Sequence, residues 1–246
     1  MRVLVVSDLH SNAEALRSVF SRVRRKRFDC IACLGDFVGY GADAQAVVGV
    51  VSREVARGAV AVKGNHDEAV QKSQSYFNEA ATAAIDWARS TLAPDDARFL
   101  AGLPLVVREG AVTFVHASAA VPERWDYVDG ASAAARCIEA AGTAYTFCGH
   151  VHDQVLYFAT GPGRASAFVP TPGAAIPVRS HRRWLAIAGS VGQPRDRNPR
   201  AAYALFDSER EEVTFFRVDY DAHVAAERIR GCGLPESLAF RVELGI

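Results

Sequence analysis

Five short motifs close runs of β-forming residues in this 246-residue chain, and each carries metal-binding side chains. They are Asp8-Leu9-His10, Gly35-Asp36, Gly64-Asn65-His66-Asp67, His116 after Val112-Thr113-Phe114-Val115, and Gly149-His150-Val151-His152. The pattern constrains the fold because the strand ends must meet, as they do at the carboxyl edge of an open α/β sheet. Five of the seven histidines lie in these motifs, so imidazole is concentrated at them. Carboxylate, imidazole and one amide oxygen make a mixed oxygen and nitrogen donor set.

The first half of the chain alternates strand and helix. Arg2–Ser7 is a continuous aliphatic run, as in a strand buried on both faces. Ser11-Asn12-Ala13-Glu14 reads as a capping box opening a helix through about Arg25. The basic run Arg22–Arg27 fits a cationic helix C-terminus that complements the dipole. Strands are expected at Phe28–Leu34 and Ala59–Lys63 around a helix at Asp43–Ala56, an order that implies parallel strands with right-handed crossovers. Further helices are expected at Asn78–Leu92, with Trp87 as a core residue, and at Pro94–Leu100.

After Pro104 the pattern changes. Leu105–Arg108 and Ala111–Val115 read as a hairpin about Glu109-Gly110, followed by a helix at Ala131–Ala141 and a strand at Ala144–Phe147. Gln154–Ala159, Ala165–Pro170, Trp184–Ala188, Ala202–Phe206 and Val213–Asp219 read as strands, and Asp221–Arg230 as a late helix. No linker or repeat interrupts the chain, so one domain over residues 1–246 is expected: an α/β fold of two mixed sheets with helices outside.

Composition narrows the function. Lys and Arg total 28 and Asp and Glu total 28, which argues against nucleic-acid binding through bulk charge. The apolar N-terminal run is too short for a signal-peptide core, and no run approaches a membrane span, so no membrane partner is expected. Five cysteines, an odd number in apolar surroundings, fit reduced thiols and a cytoplasmic location. Cys30-Ile31-Ala32-Cys33 lies within an expected strand, where side chains three apart face opposite ways, so it is not read as a redox pair.

The motif spacings have a physical sense. Asp8 and His10 are two apart, as are His150 and His152, so each short segment offers two donors to one site. Gly35, Gly64 and Gly149 precede ligand positions, where the backbone can turn sharply. About seven ligands are too many for one tetrahedral ion and suit a pair.

In this order the motifs resemble those of the calcineurin-like metallophosphoesterases, whose pattern is D-x-H, G-D, G-N-H-[D/E], H and G-H-x-H. Gly189-Ser190-Val191-Gly192 is similar to the family's Gly-Ser-x-Gly segment, extending the resemblance over much of the chain. Ser11 stands where many members have glycine, and is read as doubling as the helix cap. The resemblance implies a four-layer α/β/β/α sandwich and two divalent ions, with manganese first and iron, zinc or nickel as alternatives. It implies that Asp8, His10 and His152 hold one ion and Asn65, His116 and His150 the other, with Asp36 bridging. His66 would assist the leaving group, oriented by Asp67, during in-line attack of a metal-bridging hydroxide.

Substrate choice belongs to four loops: Phe37–Gly41, Asp67–Phe77, Ala117–Tyr127 and Gln193–Arg200. Tyr40 either stacks on a base or bonds a phosphate, or it packs beneath its loop. Arg195, Arg197 and Arg200 are candidates for extra phosphates, the alternative being a solvated loop. Gly161–Arg183, with four prolines, reads as an excursion that covers the cleft or contacts another subunit. The expected substrate is a small phosphoester or nucleotide, diesters slightly ahead of monoesters because no arginine directly follows Gly-Asn-His-Asp. A Ser/Thr-type protein phosphatase, a dinucleoside-polyphosphate hydrolase and a non-catalytic scaffold are the alternatives; a nuclease is disfavoured, and the oligomeric state is left open.

Overall fold

The computed structural model describes residues 1–24, 28–72 and 76–246. The chain opens with β1 (Arg2–Val6), α1 (Ala13–Val23), β2 (Cys30–Cys33), α2 (Ala44–Ala56) and β3 (Val60–Ala61). Three helices follow, α3 (Asn65–Ala69), α4 (Glu79–Thr91) and α5 (Pro94–Gly102), then the hairpin β4 (Val106–Glu109) and β5 (Val112–Val115). Next come α6 (Ala131–Ala141), β6 (Tyr145–Cys148), β7 (Gln154–Gly161), β8 (Arg164–Phe168), β9 (Ala175–Pro177) and β10 (Trp184–Ala188). The chain finishes with β11 (Ala201–Asp207), β12 (Glu212–Val218), α7 (Ala222–Gly231) and α8 (Glu236–Leu244).

The strands form two six-stranded mixed sheets, ordered β3-β2-β1-β11-β12-β9 and β4-β5-β6-β10-β7-β8. β1, β2 and β3 run parallel, as do β5, β6 and β10, while the remaining pairings are antiparallel. Side-chain alternation explains why β1 is apolar throughout. Val3 and Val5 enter a core between the sheets with Phe147, Phe206 and Phe215. Leu4 and Val6 face α1 and α2, packing with Leu16, Val19, Val47 and Val48. A third cluster joins α6 to the outer face of the second sheet through Ile138, Leu185 and Ile187. The result is the four-layer α/β/β/α sandwich.

Several local expectations change. The cap of α1 is Asn12, whose side chain accepts from Ala15 N at 3.0 Å. Ser11 is not the cap: its backbone is left-handed (φ 51°), and its buried hydroxyl has no partner. α1 ends at Val23, and the rest of the expected basic terminus, Arg25–Arg27, lies outside the described residues. β3 has two paired residues; Val62 N still donates to Cys33 O, and the chain then leaves β2, with Lys63 N bonded to Pro104 O. The short β9 and helix α8 escaped sequence reading. β9 exists because β12 offers a free edge, and α8 because α7 and α4 offer an apolar face.

Gly161–Arg183 crosses from the edge of one sheet, as β8, to the edge of the other, as β9. Cys30 and Cys33 pack toward opposite faces of the first sheet, and both are free thiols. Burial raises both, Cys33 to about 12, so neither is a ready thiolate. Trp87 packs beside the α7/α8 cluster and donates Nε1–H to Ala42 O at 2.9 Å. Among the described residues no helix is long and apolar enough to cross a membrane.

Candidate metal centre

Each motif sits at the carboxyl end of a parallel strand: Asp8 and His10 after β1, Asp36 after β2, Asn65 and His66 after β3, His116 after β5, His150 and His152 after β6. The loops are bonded to one another. Asp8 N donates to Gly35 O and His10 N to Asp36 O, carrying the β1–β2 pairing into the site. Across the sheets, His150 N donates to the Asp8 carboxylate at 3.1 Å, and His116 Nδ1 approaches Leu34 O at 2.6 Å.

Asp8, His10, Asp36, His150 and His152 all have positive φ, between 44° and 75°. That backbone is costly for non-glycine residues and marks a site held in place by its surroundings. Close approach also explains two glycines. A Cβ on Gly149 would lie 2.4 Å from Asp8 Oδ2, and one on Gly39 would lie 2.3 Å from His66 Nδ1.

Two donor groups result. In one, His10 Nε2 lies 3.1 Å from His152 Nε2 and 3.9 Å from Asp8 Oδ1, with His152 Nε2 3.4 Å from the same oxygen. In the other, His116 Nε2 lies 3.2 Å from both Asn65 Oδ1 and His150 Nδ1. Asp36 Oδ2 joins them, 3.8 Å from His10 Nε2 and 3.3 Å from His116 Nε2. These groups match the metal-capable clusters Asp8/His10/His152 and Asp36/His116/His150.

The donor chemistry fits cations. His10 and His152 point Nδ1 at the carbonyls of Val38 (3.1 Å) and Gln193 (2.5 Å), which assigns the proton to Nδ1. Burial, with the field of Arg195, holds both rings well below the ordinary histidine value, so neither carries a second proton near neutrality. Two Nε2 lone pairs therefore face each other at 3.1 Å, an arrangement a cation relieves.

The carboxylates differ. Burial raises Asp8 to about 6, whereas for Asp36 the burial penalty is overcome by His116, His66 and His10, leaving it well below the ordinary value. Burial opposes charging His116, but Asp36 and Asp8 outweigh it and raise the ring to about 9. Without metal, His116 thus holds a proton at pH 7 that an ion must displace. Metal affinity should fall as pH drops below about 9, and more steeply below about 6 where Asp8 also protonates. Chelator competition at pH 8, 7 and 6 checks this; a pH-independent affinity would refute it.

Asp67 acts on the backbone. It accepts from Gly64 N (2.9 Å), Phe37 N (2.9 Å) and Val38 N (3.3 Å), while His66 Nδ1 is buried without a partner. The expected direct orientation of His66 by Asp67 is replaced by this tie, because a side chain at the third position of α3 folds back to the helix start. The His66 ring is instead packed between Tyr40 and Phe77, at centroid distances of 4.6 and 4.7 Å. One of its nitrogens lies within 4.8 Å of donor atoms of His10 and Asp36.

A cleft of about 350 Å³ opens over these groups. All four expected loops reach it, through Tyr40, Phe77, Tyr127 and Arg195. Tyr40 lines the cleft and packs on His10 and His66. Arg200 does not line the cleft and donates to Asn198 Oδ1 at 3.0 Å; Arg197 and Gly161–Arg183 are likewise outside the lining. Sequence reading named the loop that carries Trp125 and Tyr127 but not these side chains, and it missed Arg241. Tyr127 stacks on His150 at 4.0 Å and Trp125 meets His116 edge-on at 6.0 Å, contacts without a local sequence signal.

Residues 1–211 match the model of the calcineurin-like phosphoesterase superfamily domain. The chain belongs to that superfamily. The crystal structure of a metallophosphoesterase from Sphaerobacter thermophilus superposes with a TM-score of 0.89 at 36% identity, covering 100% of this chain and 99% of that one. An uncharacterized protein of Methanocaldococcus jannaschii is 34% identical over 99% of this chain and 98% of its own length. A hypothetical protein of Pyrococcus horikoshii shares the fold at 17% identity, with a TM-score of 0.81 and coverage of 100% and 98%.

Proposed function

We propose that this calcineurin-like phosphoesterase is a cytoplasmic hydrolase of small phosphoesters, acting on diesters ahead of monoesters with two divalent ions. The observation that carries the reading is Asp36, whose one carboxylate oxygen faces His10 Nε2 at 3.8 Å and His116 Nε2 at 3.3 Å. Asp8, His10 and His152 hold one ion in this reading, and Asn65, His116 and His150 the other. Manganese suits the mixed donors, with iron, zinc and nickel as alternatives. Two such ions supply water activation and charge neutralisation at the phosphoryl group. The pairing of β1 with β11 supports treating the chain as one catalytic unit.

The chain's own residues do the rest. Arg195 contacts Tyr40 Oη at 3.3 Å and brings a guanidinium to the phosphoryl oxygens. Burial, His116 and Arg195 outweigh Asp36 and lower His66 to about 4, so the ring is neutral at pH 7 and offers one N–H to the leaving oxygen. Asp67 holds the loops that carry Asp36 and His66. The cleft's size suits a small molecule, and its exposed Tyr76 and Tyr127 rings favour an aromatic or nucleoside ester over a protein loop.

Purified protein with Mn²⁺ is expected to hydrolyse bis-p-nitrophenyl phosphate with a higher kcat/KM than p-nitrophenyl phosphate. The reverse order would refute the diester preference. Silence on both esters, with two ions confirmed by elemental analysis, would favour a non-catalytic scaffold.

A further inference from the structure

Helix α8 contributes Arg241 to the lining of the same cleft as His66 and Tyr127. Its side chain is half-buried, and among the described residues no carboxylate pairs with it. The acids of its own helix are engaged elsewhere: Arg230 of α7 binds Glu236 at 2.7 Å and Glu243 at 3.0 Å. A partly desolvated guanidinium without a counter-charge gains from an incoming anion.

Arg195, also in the lining, has no ion-pair partner among the described residues. It contacts neutral groups, Tyr40 Oη at 3.3 Å and Gln193 Oε1 at 3.4 Å, its buried Nε has no partner, and the neighbouring Asp196 is taken by Arg217. The two arginines sit at different depths. Arg195 meets Tyr40, whose ring packs on His10 and His66, whereas among the described residues Arg241 has no such contact with a ring of the site. Arg124, also in the lining, is paired with Asp126 at 3.4 Å. The inner guanidinium serves the scissile phosphoryl group, and the outer one is left for something else.

We infer that Arg241 holds a second anionic group of the bound molecule. The preferred ester is therefore one whose alcohol or nucleoside part carries a further phosphate or carboxylate. The assignment rests on the phosphoesterase reading for the identity of the bound molecule as substrate, and binding alone tests it.

Isothermal titration of the metal-loaded protein should compare thymidine 3′,5′-bisphosphate with thymidine 5′-monophosphate. The bisphosphate is expected to bind about tenfold tighter, the worth of one charge-assisted contact. Arg241→Ala should shrink that preference to less than about twofold, and Arg241→Lys should keep part of it, because the ammonium preserves the charge but not the planar fork. Equal affinities in the unaltered protein would overturn the assignment. So would an Arg241→Ala variant, folded by its thermal melt, that weakens both nucleotides equally. Should that variant fail to fold, Arg241→Lys decides: an unchanged preference, or an equal loss for both ligands, would overturn the assignment. A bisphosphate preference lost in Arg241→Ala, with no turnover of any ester, would sink the hydrolase reading and leave the anion subsite standing.

Discussion

Asparagine in place of Asp36 is expected to leave the chain folded but unable to retain either divalent ion. The backbone at Asp36 is left-handed (φ 51°), a conformation asparagine tolerates. The amide oxygen can still accept from His66 N, a bond of 2.9 Å to Asp36 Oδ1. What disappears is the negative charge 3.3 Å from His116 Nε2 and 3.8 Å from His10 Nε2. Loss of an outer-shell partner alone costs about 10–100-fold in metal affinity, and a shared ligand should cost more at both ions. Elemental analysis should find less than one ion per chain, and turnover should fall below detection. His116 should also cease to titrate near 9 in the metal-free variant, because Asp36 is the largest influence raising it. A variant with two ions and full rate would refute the shared-ligand role.

Alanine in place of His66 is expected to do the opposite, keeping both ions and losing activity. The loss should be about 10²–10³-fold, the usual worth of one preorganised donor aimed at developing charge. It should depend on the leaving group. Esters of p-nitrophenol build little charge on the leaving oxygen and should suffer least, while esters of aliphatic alcohols should suffer most. The same deficit for both would show that His66 does not serve the leaving oxygen. Metal loss would make it a ligand instead, since one of its nitrogens lies within 4.8 Å of donors on His10 and Asp36.

The residues of the candidate site were legible because metal chemistry admits few residue types and strand ends recur at countable spacings. Asp8, His10, Asp36, Asn65, His116, His150 and His152 could be named from the chain, and the structure brings them together. The layers were legible too, because β1 is apolar on both faces and the early strands alternate with helices. Local grammar failed where tertiary bonds compete. Ser11 had the composition of a cap, but its N–H is drawn to Phe37 O and its backbone turns left-handed, leaving Asn12 to cap α1. Asp67 seemed a partner for His66, yet three backbone N–H groups claim its carboxylate.

The amino-acid sequence by itself determined the family, through motifs in a fixed order, and the two mixed sheets, through the periods of strand and helix; it also placed histidines and acids at the strand ends. Tertiary structure alone decided which lone pairs face each other, which side chains line the cleft and which charges go unanswered. Arg241 shows why. Nothing near it in the chain marks it, and its meaning comes from α8 packing beside α7, where Arg230 takes the acids of α8 and Arg241 is left in the cleft with no carboxylate partner among the described residues.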